Sequence, residues 1–510
     1  MEKGGAQQDK LQVLSLLEKE RYITVEDAKK ANDFARARHA SPIDYLLNQG
    51  IITKHELGQA IAKALGVQYA NLNTSPPSRE QVLKIPEDIA RKYRVALFAE
   101  AGDTVTVASD HPKQSELWPI AIIEDAVVYR ASDIHFEPQE LDVALRFRID
   151  GVLHEAGRIP KEYYENVLNR IKVESRLRID EHYVAQDGAI RYAKNNFAAD
   201  LRISVVPTLD GEKVAIRLLS QYVRSFTLRD LGLSSKHQAI LLRASHKPFG
   251  MILVTGPTGS GKTTTLYALV KILNRPEVNI TTIEDPAEYK IAGVNQIQVN
   301  LQTGLTFAKG LRSIMRQNPD IILVGEIRDK ETSEIAINAA LTGHLLLSTF
   351  HANDAATAIP RLLDMDIEPF LLASTLEVVI AQRLVRRICE ACRMVQSISI
   401  SDIKKILPPA ERYFSEDTVK LYRGKGCQSC SGSSFRGRVA IYEFIEISQA
   451  MRELILKNPS SQAVWGLAKQ EGSRSLFEDG IDKVKQGLTT LEELLRVAEP
   501  PEILPTNERT

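Results

Sequence analysis

The 510-residue chain has no net charge, only four cysteines and no long apolar run. Lysine plus arginine total 65, as do aspartate plus glutamate. That balance leaves no global electrostatic footprint for nucleic acid, although it does not exclude a local basic patch. No apolar stretch approaches the roughly 18 residues needed to cross a bilayer. The opening "MEKGGAQQDK" is polar and lacks the apolar core of a signal peptide. A cytoplasmic protein is the expectation, with any membrane role reached through partners. The length suits about three domains, each with its own core.

The four cysteines are Cys389, Cys392, Cys427 and Cys430, arranged as "CEAC" and "CQSC". In a reducing compartment two C-x-x-C pairs read as a tetrahedral Zn²⁺ site; two redox pairs are the alternative. Nothing near them suggests catalysis, so the zinc would be structural.

"GPTGSGKTT" fits the phosphate-loop pattern. The backbone N–H groups of Gly256, Pro257, Thr258, Gly259, Ser260, Gly261, Lys262, Thr263 and Thr264 (proline excepted) supply the wrap around phosphates. Lys262 would reach the terminal ones, and the Thr263 hydroxyl would ligate Mg²⁺. "FGMILVTG" before it is a buried strand, and "KTTTLYALVKIL" after it a helix facing the phosphates. Strands "NITTIEDP", "DIILVGE" and "HLLLSTFH" alternate with helices, the rhythm of a mostly parallel sheet. Three segments flank these strands, at whose C-terminal ends ligands bind. In "TIEDPAE", Glu284, Asp285 and Glu288 are expected close to Mg²⁺. Glu326 ends an apolar strand, placed to orient a water for attack on the γ-phosphate. His344 and His351 bracket the third strand, and either could bond the γ-phosphate or an acid.

Elsewhere, residues 10–70 read as amphipathic helices, with Leu46, Leu47, Leu57, Ile61 and Leu65 at helical spacing, a stop at Gly50 and a start at Thr53. A hairpin is expected around Gly102-Asp103. "DLRISVVPTLDGEKVAIRLL" is a second hairpin. A turn at Asp210-Gly211 would pair Ile203 with Leu218 and Val205 with Ile216, leaving Arg202 and Arg217 as diagonal neighbours on the other face. Two such guanidiniums suit a phosphate clamp or a solvated arginine face. The region beyond the cysteines reads as small helices and a disordered tail.

"GPTGSGKTTTLY", "TIEDPAE", "RQNPDIILVGEIRD" and "TGHLLLSTFHAND" resemble, in order and spacing, the Walker A, aspartate, Walker B and histidine boxes of the type II secretion and type IV pilus ATPase superfamily. "ASDIHFEP", "RFRIDGVLH" and "GEKVAIRLL" resemble the domain preceding that family's motor. The resemblance implies a multidomain α/β protein: a RecA-like P-loop nucleotide domain, a preceding α+β (PAS-like) motor domain, a helical N-terminal domain and a Zn-binding insertion. The corresponding segments are 1–75 (helical, partner-docking), 76–117 (small α/β extension and linker), 118–228 (α+β), 229–388 (ATPase core), 389–432 (tetracysteine) and 433–510 (helices and tail). It further implies a homohexamer using ATP, Mg²⁺ and Zn²⁺. Such a ring would act on an inner-membrane platform protein and a cytoplasmic docking protein, with no nucleic acid and only indirect membrane contact. By position, Glu326 matches the Walker B glutamate and Glu288 the aspartate-box acid; each N-terminal motor half would pack on the next subunit's nucleotide domain, and Arg202 and Arg217 match the arginines that reach a nucleotide site there, so that a neighbour's arginines are expected to complete it. The cysteine module favours assembly or export over retraction. The N-terminal helices resemble one half of a docking domain that binds a cyclic dinucleotide in some members; one degenerate copy stands where those binders carry two. The segment between "TVTVASD" and "ASDIHFEP" is shorter than in typical relatives. A RecA-like nucleic-acid motor is the alternative from another class.

Overall fold

The computed structural model describes residues 14, 16–38, 41–64, 68–72, 74–78, 81–82, 95–101, 104–109, 117–194, 197–219 and 226–500. The N-terminal part holds helices Val25–Arg38, Pro42–Asn48 and Lys54–Ala64. Leu17, Ala31, Leu46 and Ala60 are fully buried among them. Gly50 takes the left-handed conformation expected of a stop. Thr53 and Glu56 exchange backbone and side-chain hydrogen bonds at the next start, a capping box. Leu65 lies outside the described residues. β1 (Val95–Ala101) and β2 (Thr104–Ser109) pair antiparallel, with Ala101 opposite Thr104; the turn residues Gly102 and Asp103 lie outside the described residues.

Six strands then form one sheet: β3 (Ala131–Pro138), β4 (Asp142–Ile149), β5 (Val152–Pro160), β6 (Gln186–Lys194), β7 (Phe197–Thr208) and β8 (Gly211–Leu219), in the order β5-β4-β3-β8-β7-β6. One face buries Ile134, Phe136, Phe147, Ile203, Val205, Val214 and Ile216. The other carries Asp133, Glu137, Arg146, Arg148, Arg202, Lys213 and Arg217, as period-two alternation requires. The hairpin register differs from the expected one by two residues. Thr208 pairs with Gly211, so Leu209-Asp210 form the turn and Gly211, at φ 132°, opens β8. Ile203 therefore faces Ile216, and Arg202 stands directly opposite Arg217 rather than diagonal to it. The two-residue shift keeps every side chain on its expected face, which is why the apolar pattern alone did not separate the two registers.

The larger sheet contains β9 (Gly250–Thr255), β10 (Ile280–Glu284), β11 (Asn295–Gln298), β12 (Ile321–Val324), β13 (Leu345–Phe350), β14 (Leu376–Ile388) and β17 (Phe435–Glu446). Its order is β11-β10-β12-β13-β9-β14-β17, parallel except for β17 against β14. Alternate residues of β9 enter different cores. Met251 and Leu253 pack with Leu346, Ile322 and Val324, while Ile252 and Val254 pack with Leu269, Leu347 and Ile380. A strand covered by helices on both faces is apolar at every position, and each such aliphatic side chain contributes about 2 kcal/mol. β17 was not expected in the region read as helices; it brings the chain back to the sheet after an excursion through β15 (Arg393–Ser399) and β16 (Thr418–Gly424). Helices Gln449–Ile455, Ser461–Gln470, Leu476–Lys485 and Leu491–Val497 follow. Among the described residues no helix is long and apolar enough to cross a membrane.

Glu443 on β17 is a buried acid whose Oε1 accepts from the Ala355 N–H at 2.8 Å. Burial pushes its carboxyl from 4.5 up to about 7. The folded state then binds more protons than the unfolded chain between those values, so this group lowers stability as pH rises through 4.5 to 7. Glu443→Gln keeps the acceptor and removes the charge. The variant is expected to match wild type near pH 4.5 and to exceed it by up to about 3 kcal/mol at alkaline pH. Urea unfolding at acid and alkaline pH measures the gap; a gap independent of pH would refute the assignment.

Candidate functional site

The segment Gly256–Gly261 leaves the C-terminal end of β9 and enters helix Lys262–Leu273. Two glycines are dictated by close approach. A Cβ on Gly256 (φ 145°) would lie 2.4 Å from Gln382 O, and one on Gly261 (φ 87°) 2.8 Å from Gln382 Nε2. Gln382, on β14 and buried, also holds the loop through its side chain. Its Nε2 donates to Ser260 O at 2.9 Å, and its Oε1 accepts from Thr265 Oγ1 at 2.8 Å. Sequence reasoning missed this residue. The signal was available: a glutamine inside the apolar run "VVIAQRLV" needs partners for a buried amide. Lys262 is buried and donates to Gly256 O at 2.8 Å and Pro257 O at 3.1 Å. Burial lowers its pKa, and the nearby Glu326 opposes that shift. Such a loop can present successive N–H groups and one ammonium to a polyphosphate.

Glu326 lies just past β12 beside this loop, and its mostly buried carboxylate meets Arg328 Nη2 at 2.5 Å and His351 Nε2 at 3.2 Å. Thr349 Oγ1 bonds Gly325 O at 2.7 Å, and Thr255 Oγ1 bonds Ala352 O at 3.0 Å, so β9, β12 and β13 are tied together at their C-terminal ends. His351 thus joins the site. His344 does not: it precedes β13, whose first residue pairs with Gly250, and its Nδ1 bonds Ala339 O at 2.8 Å. It sits at the sheet edge away from the phosphate loop of its own chain, because six residues of strand separate the two histidines.

Glu284 is also corrected. Its carboxylate turns inward to the Tyr267 hydroxyl, Thr282 Oγ1 (2.6 Å) and Gln296 Nε2 (3.3 Å). Tyr267 OH in turn accepts from Glu288 N at 3.2 Å. Glu284 therefore shapes the aspartate-box loop from below and is spent on buried partners, whereas Asp285 is exposed and Glu288 half-buried. Arg202 Nη2 donates to Ala287 O at 2.9 Å and lies 4.0 Å from Glu288. Arg217 bonds Asp133 at 3.2 Å. Burial raises the Glu288 pKa, with Arg202 and then Arg217 acting against it. The antiparallel sheet thus brings its paired arginines to the aspartate-box loop of the same chain.

Cys389 and Cys392 follow β14, and Cys427 and Cys430 lie between β16 and β17. The sulfurs of Cys389 and Cys427 are 3.8 Å apart, Cys392 and Cys430 3.9 Å, and Cys427 and Cys430 3.7 Å. A tetrahedron with ~2.3 Å zinc–sulfur bonds has edges of about 3.8 Å. All four lie within 4.8 Å of one another and could hold zinc. An ion there would cross-link the two strand ends of a segment whose Ile403, Leu407, Phe414 and Leu421 are already buried in the main core.

A parallel α/β sheet with a phosphate loop after β9 and an acid after the neighbouring-but-one strand defines a RecA-like nucleotide-binding fold. The type II/IV secretion system protein family model matches residues 108–496, and the MshEN domain model matches 65–120. The chain belongs to the type II/IV secretion system protein family. It is 42% identical over 448 residues to type II secretion system protein E of Pseudomonas aeruginosa, covering 86% of this chain and 85% of that one. It is 36% identical over 522 residues to the type IV pilus assembly ATPase PilB of Thermus thermophilus, covering 89% of this chain but 58% of the relative. Among solved structures, the pilus retraction motor PilT with bound ADP is similar at 27% identity and TM-score 0.51, over 75% of this chain and 97% of that one. The ATPase DotB of Legionella pneumophila shares the fold at 20% identity and TM-score 0.55, over 75% and 95%.

Two outcomes follow from these geometries. Gln382→Leu strands the Ser260 carbonyl and Thr265 hydroxyl, so ADP affinity should fall about tenfold, or about 1.4 kcal/mol, in a calorimetric titration; unchanged affinity would show that the loop holds without it. Metal analysis of the purified chain should return stoichiometric zinc that Cys430→Ser releases, and a metal-free wild type would contradict the tetrahedral reading.

Proposed function

We propose that the chain is a Mg²⁺-dependent ATPase, assembled as a homohexamer, that powers extension of a type IV pilus or type II secretion pseudopilus. The observation that supports it most is the meeting of Glu326, the buried Lys262 and His351 at the C-terminal ends of adjacent strands. In this reading Lys262 and the loop N–H groups bind the phosphates. Thr263 would hold Mg²⁺, whose charge would offset that of the bound phosphates. Glu326 orients the attacking water, and His351 and Arg328 fix the carboxylate that does so. Arg202 and Arg217 stabilise charge on the phosphates from the antiparallel sheet, and Glu288 holds Arg202 in reach. The four cysteines would hold zinc, which would cross-link the excursion between β14 and β17.

The relatives' names supply the work done: secretion in one case, pilus assembly in the other. The proposed partners are an inner-membrane platform protein and a cytoplasmic docking protein, with the ring cytoplasmic and peripheral to the membrane. The likeness to the pilus retraction motor favours retraction as the second reading; the cysteine module argues for assembly. Glu326→Gln is expected to lower kcat by about 10²–10³ with ADP affinity kept, because the lost charge acts on water rather than on bound nucleotide. Turnover at the wild-type rate in that variant would remove Glu326 from the mechanism.

A further inference from the structure

The sheet edge opposite the phosphate loop carries a cavity of about 510 Å³, within the size range of small-ligand pockets. Its location follows from register: Val378, near the start of β14, pairs with Ile252 and with Glu446 at the end of β17. Helix Ser235–Ser245 forms one wall and residues 471–474 close one end. The apolar lining is Ile240, Ala244, Val378 and Phe444. Against Phe444 stacks the ring of His237, with centroids 4.5 Å apart and planes 7° from parallel.

Two features there are unexplained by folding alone. His237 is only 8% exposed, yet its Nδ1 has no hydrogen-bond partner, which costs free energy in a native structure. The lining charges also differ along the cavity. Arg243 and Lys247 are matched by Glu446 and Glu377. At the other end Lys236, next to His237 in sequence, donates, among the described residues, only to the carbonyl of Gly472 at 3.0 Å. The acid there, Glu471, accepts from the Ser448 hydroxyl at 2.5 Å, and Arg474 is paired with Asp482 beyond the lining. One end therefore offers the Lys236 ammonium, without an acid partner among the described residues, beside the buried ring of His237, and the floor beyond it is apolar.

We propose that this cavity binds a small organic anion, a carboxylate or phosphate carried on a compact apolar body. The anionic group meets Lys236 at the 471–474 end, and the body lies over Ala244, Val378 and Phe444. A bound ligand ties helix Ser235–Ser245 to the loop after helix Ser461–Gln470, joining the first and last parts of the nucleotide half. The site is separate from the phosphate loop, so it does not depend on the proposed ATPase cycle.

The test is calorimetric titration of the full chain, saturated with ADP and Mg²⁺ so that the phosphate loop is filled. The probes are phenyl phosphate, benzoate and inorganic phosphate. Saturable binding of phenyl phosphate or benzoate is expected, the tighter of the two naming the headgroup. Lys236→Glu, at an exposed helix position, should weaken it at least about tenfold with ADP affinity and melting temperature unchanged. No saturation by either aromatic probe up to about 10 mM overturns the proposal. So does equal binding by Lys236→Glu, or inorganic phosphate binding as tightly as phenyl phosphate.

Discussion

Two guanidiniums directly opposite each other on an antiparallel ladder are the constraint around which the antiparallel sheet and the nucleotide half are organised. Facing each other on the ladder, Arg202 and Arg217 repel unless anions intervene. Asp133 answers Arg217 from β3, and Ala287 O and Glu288 answer Arg202 from the loop after β10. The second answer comes from the other sheet. Arg202 thus links the antiparallel sheet to the aspartate-box loop, as the bond from Gly437 N to Asp150 links it to β17. Glu284 and Tyr267 support that loop from the core, so the acid that receives Arg202 stands on a buried hydrogen-bond network.

The same economy operates at the phosphate loop. Backbone of β14 approaches Gly256 so closely that only glycine fits, and the Gln382 side chain bonds the loop's outer turn and the first turn of the following helix. The loop's shape is therefore set by a strand more than 100 residues later, at Ser260 to Gln382 a separation of 122. β17 secures that strand in turn, pairing along nearly its whole length.

Much of this was legible in the sequence. Apolar runs such as "MILV" and "IILV" mark doubly covered strands, and the phosphate-loop spacing marks its own site. Glu326, His351 and the cysteines came together as their motifs implied, because each lies within a residue or two of a strand end whose position the pattern determines. What stayed hidden depends on register and on side-chain direction. A two-residue hairpin shift preserves face alternation, so only the turn at Leu209-Asp210 distinguishes opposed from diagonal arginines. Glu284 looks like a metal-site acid until its neighbours Tyr267 and Gln296 are placed around it. His344 and His351 look equivalent by sequence, yet a strand places them at opposite sheet edges. Gln382 carries no motif at all; its role arises only when β14 lies beside β9.

The central claim is that the proposed nucleotide site is completed within one chain, by Arg202 and Arg217 of the same polypeptide that supplies Lys262. Mixing is the direct measurement: Arg217→Ala chains combined with Lys262→Ala chains, co-assembled, and assayed for ATP turnover. A site completed in one chain gives no recovery, because every chain lacks either its ammonium or its guanidinium. Recovery of turnover on mixing, absent from either variant alone, would mean that a neighbour supplies the arginine and would contradict the in-chain site.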